Sequence, residues 1–188
     1  GVIGGDSKSV DALRDAMQIR HERRHVVGFD MNVVFGNFSL KADVAYLHEH
    51  TLYTEDFDSL RHPSLSWALQ LDYLYESSLA ISVEFSHQAF FGVPENTSLI
   101  FFEADMMRLS AMIEARFGRN DMFRLQLAGM YGITQKDLIV TPRFTWRQSG
   151  LLSLDMGAMI FMGDSDTLSM GSLFETASFG YMSARLSF

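Results

Sequence analysis

The chain has 188 residues, a net charge of −8, no cysteine, three prolines and sixteen phenylalanines. The length suits one domain, the acidic balance argues against nucleic acid as a partner, and the lack of thiols excludes disulfides, thiol catalysis and thiolate metal sites. No run of eighteen apolar residues occurs, so no transmembrane helix is expected, and aromatic-rich, proline-poor composition points to sheet.

Residues 1–25 stand apart from the rest. Gly1 to Gly5 is loop-like, Ser7 or Ser9 is placed to cap a short helix with Val10, Leu13 and Met17 on one stripe, and Arg20 to Arg24 is a basic run containing histidine. From Val26 a period-two alternation sets in, the mark of strands with one apolar and one polar face. Val27, Phe29, Met31, Val33 and Phe35 share a face, and Gly36-Asn37 then turns the chain. The next strand runs from Phe38 to Tyr46. His48 to Pro63 is polar and is expected to be a long loop. Strands follow at Leu65–Tyr73 and Leu79–Phe85, joined by Glu76-Ser77-Ser78, and Phe91 to Asp105 is expected to be a second long loop.

The second half repeats the rhythm. Met107–Phe117 and Phe123–Tyr131 flank the turn Gly118-Arg119-Asn120-Asp121. Thr134-Gln135-Lys136 leads to Leu138–Trp146, where Pro142 predicts a bulge or a weak ladder. Gln148-Ser149-Gly150 turns into Leu152–Ile160. Gly163 to Thr176 is expected to be a third long loop, and Ala177–Phe188 is the last strand. The expectation is an all-β, antiparallel, up-and-down β-barrel of nine recognisable strands, with short turns alternating strictly with longer connections.

Two features favour a transmembrane barrel over a soluble one. Aromatic residues gather at both strand ends of the apolar face: Phe35, Phe38, Tyr73, Phe117, Phe123, Trp146 and Phe188 beside the short turns, and Tyr46, Trp67, Phe85 and Tyr131 nearer the loops. Two such rows match interfacial girdles. The polar face, in turn, carries small residues and arginines, which suits a wet or ion-paired lumen.

The final stretch places Met182, Ala184, Leu186 and Phe188 on one face and Tyr181, Ser183, Arg185 and Ser187 on the other. It resembles the closing strand of bacterial outer-membrane β-barrels, whose terminal Phe and preceding alternate apolar residues are read by the barrel assembly machinery. That resemblance implies an assembly signal at Phe188 and Leu186. The rhythm, and Gly163 to Phe188 in particular, is similar to porin-like families of Gram-negative bacteria. Bacterial single-chain barrels have even strand numbers, so nine strands imply the C-terminal part of a larger barrel, with residues 1–25 as an extracellular loop and residues 26–188 as barrel strands; the alternative is a tenth strand within residues 1–25.

On the inward face the charges are uneven. Asp30, Asp43, Asp72 and Glu84 lie on the first four strands with Lys41, while Arg108, Arg116, Arg124, Arg143, Arg147 and Arg185 lie on the last five with Glu114 and Asp155. Facing arcs of opposite charge would orient polar solutes and select ions; the plainer alternative is that neighbours pair and plug a narrow barrel. His48, Glu49, His50, Glu55, Asp56, Asp58 and His62 hold enough donors for a divalent metal, although such runs usually serve as solvated loops. No Ser-His-acid set is apparent; His87 follows the outward residues of its strand while Ser86 points inward. The functional expectation is an outer-membrane channel or transport barrel for ions or small polar solutes, in contact with the lipid bilayer and lipopolysaccharide, without cofactor or enzymatic activity. The alternatives are a plugged structural or adhesive barrel binding an external partner through its loops and, behind it, a barrel hydrolase.

Overall fold

The computed structural model describes residues 25–54, 58–94, 97–99, 103–148, 152–163 and 170–186. The expected N-terminal helix, the basic run at Arg20 to Arg24 and the terminal Phe188 lie outside these residues.

Alternation becomes sheet throughout. The strands are β1 (Val26–Phe35), β2 (Phe38–Tyr53), β3 (Ser59–Tyr75), β4 (Leu79–Phe90), β5 (Asp105–Phe117), β6 (Phe123–Gly132), β7 (Asp137–Gln148), β8 (Leu152–Met162) and β9 (Phe179–Leu186). They form one antiparallel sheet in the order of the chain, β1 to β9. The β1–β2 turn has two residues, with Gly36 at φ 60° and Phe35 opposite Phe38. A positive φ at that position keeps the turn's twist matched to the strands, and glycine adopts it without strain.

The sheet is not closed into a barrel. Among the described residues β1 pairs only with β2, and β9 only with β8. Nine alternating strands leave the two edges running in the same direction, so a direct seam between them would be a parallel pair rather than another antiparallel one. Gly28 on β1 and Arg108 on β5 line a single cavity that spans five strands.

Register aligns the apolar residues of one face from strand to strand. Phe29 is opposite Val44, Val44 opposite Trp67, Leu69 opposite Phe85, and Phe85 opposite Leu109. Leu125 opposite Phe144 and Phe144 opposite Met156 carry the same apolar face to β8. This face stands open: Leu69 is 46% exposed and Val33 45%. Over β3 to β6 the polar face is the more sheltered one, with Glu114 only 4% exposed, while β1 and β9 are exposed on both faces. Among the described residues the buried apolar side chains are Leu52, Phe90, Leu99 and Met106, which cluster at the loop-side strand ends and pack with Leu60 and Val93.

Several boundaries differ from the sequence expectation. His48 to Pro63 is mostly strand, because β2 and β3 continue as a long hairpin connected through residues 54–58. The ladder shifts between Leu47 and His50, and Pro63 falls in that break between Ser64 and His62, where no ladder donor is required of it. Asp105 opens β5 instead of ending a loop, and β9 begins at Phe179. The β8–β9 connection contains a one-turn helix, Met170–Leu173, and a 3-10 turn, Glu175–Ala177. The β6–β7 connection is only residues 133–136, so the strict alternation of short and long connections does not hold. Pro142 weakens the ladder without a bulge. It pairs with Leu127 on β6, whereas pairing to β8 lapses between Val140 and Arg143 and resumes in the same register.

Candidate functional site

The inner, polar face carries the charged residues that the sequence places together, and pairing divides them into two groups. Toward the short turns, Arg116 and Arg124 stand directly opposite each other on β5 and β6. Two like charges so placed need an acid between them. Glu114 supplies it: Arg116 Nε donates to one carboxylate oxygen at 2.9 Å, and Arg124 Nη2 donates to the other. One row away, Arg143 Nε donates to both oxygens of Asp155, at 2.8 and 3.1 Å, and its Nη2 adds a further bond. Lys41 likewise reaches Asp72 at 2.8 Å, and Gln70 donates to Asp72 at 2.7 Å and to Ser82 at 3.1 Å.

These contacts divide the inward arginines of the last five strands. Arg124 and Arg143 are committed to carboxylates on their own or adjacent strands, and Asp72 is committed to Lys41. Register makes this inevitable once the turns are set, because it brings acid and base within one strand spacing, where a charge-assisted pair outcompetes a solvated charge.

The second group has no ion pair among the described residues: Asp30, Asp43, Glu84, Arg108, Arg147 and Arg185. Asp30, Asp43, Ala68, Ser86 and Arg108 form one row across β1 to β5. Gly28, Ala45, Ser66 and Ala68 are too small to fill the space above this row, which opens as a cavity of about 400 Å³. The Arg108 guanidinium makes a long contact, 3.9 Å, to the Met106 sulfur. Arg185 lies far from this row, opposite Ser153. Glu84 lines a second cavity of about 330 Å³ deeper along the same face.

The outer face holds a constellation that the sequence did not reveal. Trp67 Nε1 donates to His87 Nδ1 at 3.0 Å, and His87 Nε2 lies 2.5 Å from Asp105 Oδ1. An indole N–H can only donate, so Nδ1 accepts and Nε2 carries the proton toward Asp105. Both ring nitrogens are thereby occupied, and the group ties β3, β4 and β5 together. It escaped notice because Asp105 reads as loop; placing it on β5 brings it opposite Ala89, beside His87.

The aromatic residues fall into the two expected rows. Phe35, Phe38 and Tyr73 are in contact at the turn side, at 5.7 and 4.8 Å between ring centres, as are Phe117 and Phe123 at 5.4 Å. Trp67 and Phe85 meet at 5.3 Å toward the loops. Leu186 ends the described part of β9 opposite Leu152, on the apolar face.

Of the suggested metal ligands, Glu55 and Asp56 lie outside the described residues. His62 Nδ1 lies 3.1 Å from the Phe91 carbonyl, His50 Nδ1 lies 3.4 Å from Ser64 Oγ, and Glu49 faces Arg61 at 3.8 Å. No group of three metal-binding side chains forms among the described residues. Compared with known proteins, the chain matches no family model, no curated protein and no solved structure.

Proposed function

We propose that this sheet is part of an outer-membrane β-barrel that passes ions or small polar solutes along its inner face. The carrying observation is the inverted distribution of its side chains. The strands expose one continuous apolar face and carry the carboxylates and guanidiniums on the other, where Glu114 and Asp155 are sheltered. In water an apolar surface of this extent is far beyond the few hundred Å² that soluble proteins tolerate; against hydrocarbon it is the favoured arrangement. Strands of 8 to 17 residues bracket the length a tilted strand needs to cross a bilayer. The aromatic rows at both ends fit the depth of the headgroups.

A narrower reading, a plugged barrel working through its loops, has its own support. Leu99 forms a bridge with Thr54, drawing the β4–β5 connection over the β2–β3 hairpin, and Leu52, Phe90 and Met106 close beneath it. Together with the self-paired arginines, this cluster would narrow the passage over β2 to β5.

Membrane fractionation and planar-bilayer recording test both readings. The protein should sediment with outer membranes and show heat-modifiable mobility in detergent gels, and its insertion should produce discrete conductance steps. Membrane insertion without conductance selects the plugged form. Recovery as a soluble monomer without detergent overturns the membrane assignment.

A further inference from the structure

We propose that the cavity over the Asp30–Arg108 row binds a short dipolar solute, one carrying an ammonium group at one end and a carboxylate at the other, such as a small peptide. The proposal rests on the reading of the inner face as water-accessible and narrows it to a solute class.

The cavity carries charge of both signs at its two ends. Asp30 and Asp43 are directly opposite each other on β1 and β2, and neither has an ion pair among the described residues. Lys41, one inward position from Asp43, is already held by Asp72. Two adjacent carboxylates left without a cation are mutually repulsive, and an ammonium group relieves that repulsion while donating to both. At the other end, Arg108 has no carboxylate partner among the described residues, and its planar fork is suited to bidentate contact with one. Between them the floor is small or hydroxylic: Ala45, Ser66, Ala68 and Ser86. The serines can bond a peptide backbone, and the alanines leave it room.

Spacing selects among dipolar solutes. Asp43 and Arg108 are three strand spacings apart, about 14 Å along the sheet. The arginine's length shortens the gap, but a free α-amino acid, with one carbon between its charges, cannot engage both ends. A chain of two or three residues can.

The test is calorimetric titration of the full chain, folded in detergent micelles, with triglycine, N-acetyltriglycine and triglycine amide. Each charged end should contribute about tenfold in affinity, so triglycine should bind at least about tenfold more tightly than either blocked peptide. Asp30→Asn with Asp43→Asn should bring triglycine down to the level of the acetylated peptide, and Arg108→Gln should bring it down to the level of the amide. Equal affinities for the three peptides, or no binding of triglycine, overturn the proposal. If the variants fail to fold, the blocked peptides on the unaltered protein decide alone. Single-channel recording of the same preparation separates this proposal from the channel reading. Binding without conductance supports the site and removes the passage, whereas conductance without binding removes the site and leaves the passage.

Discussion

Leu69 and Gln70 are consecutive residues of β3, yet they belong to opposite worlds. Leu69 lies in a row with Ala42 and Phe85 on the open apolar face, and Gln70 lies in a row with Lys41 and Glu84 on the sheltered polar one. The two faces are stabilised by different physics. The apolar face has no partner layer among the described residues, so its stability depends on the solvent it meets. The polar face is stabilised from within, by cross-strand pairs that the register enforces. A soluble β-domain reverses this assignment, burying the apolar face between layers. Here the buried apolar cluster of the described residues lies at the loop-side strand ends, and their midsections have none.

Arginine scanning across this pair separates the faces most sharply. Leu69→Arg should cost about 2–4 kcal/mol, the range for a cation at the bilayer midplane, while Gln70→Arg, on the inner face, should be nearly neutral. Denaturant titration of the protein folded into lipid vesicles measures both. Equal tolerance would mean that the faces do not differ in solvent.

The inner face should also have a position that is intolerant for a different reason. Glu114 is nearly buried and clasps Arg116 and Arg124, so Glu114→Gln leaves two guanidiniums opposed without a counter-charge. The expected loss is about 2 kcal/mol, below the 3–5 kcal/mol of a fully broken buried pair because both arginines retain solvent contact. The same titration reports it, and a double variant with Arg124→Gln should recover part of the loss.

A smaller effect is expected where packing, rather than charge, shapes the inner face. A Cβ on Gly157 would lie within 2.8 Å of the Tyr181 ring and hydroxyl, because the tyrosine on β9 lies over the glycine on β8. Gly157→Ala should therefore cost about 1 kcal/mol, and Tyr181→Ala in the same chain should remove that penalty.

The smallest expected effect is on selectivity. Asp30→Asn with Asp43→Asn should move the reversal potential toward anions under a salt gradient, whereas Arg143→Gln should move it less, because that charge is already neutralised by Asp155. At about 1 M salt, with a Debye length of about 3 Å, the difference should shrink. A larger shift from Arg143 would mean that its pair with Asp155 does not persist.

Much of the fold was legible because the code is local. Alternation identified all nine strands and the apolar face of their midsections, and Gly36-Asn37 and Gly118 to Asp121 marked two of the turns. His48 to Tyr53 was not legible as strand. An added residue in the ladder after Leu47 shifts the parity, so the apolar rhythm stops while the backbone pairing continues. The charged site was half legible. Which residues point inward follows from parity, but the pairing of Arg143 with Asp155, or the absence of a cation beside Asp30, depends on register and rotamer. Asp105 with His87 was missed for the same reason: the partnership appears only once β5 is extended by two residues.

The two tryptophans offer the most direct test of the solvent assignment. Both lie on the apolar face, Trp67 toward the loops and Trp146 toward the turns, opposite Val44 and Phe123 respectively. In single-tryptophan variants, Trp146→Phe and Trp67→Phe, reconstituted in vesicles, lipids brominated near the headgroup should quench both emissions strongly. Lipids brominated near the chain end should quench them less, and a water-soluble quencher should have little access. Emission from both residues that is unaffected by brominated lipid but open to the water-soluble quencher would contradict the claim that the apolar face meets the membrane.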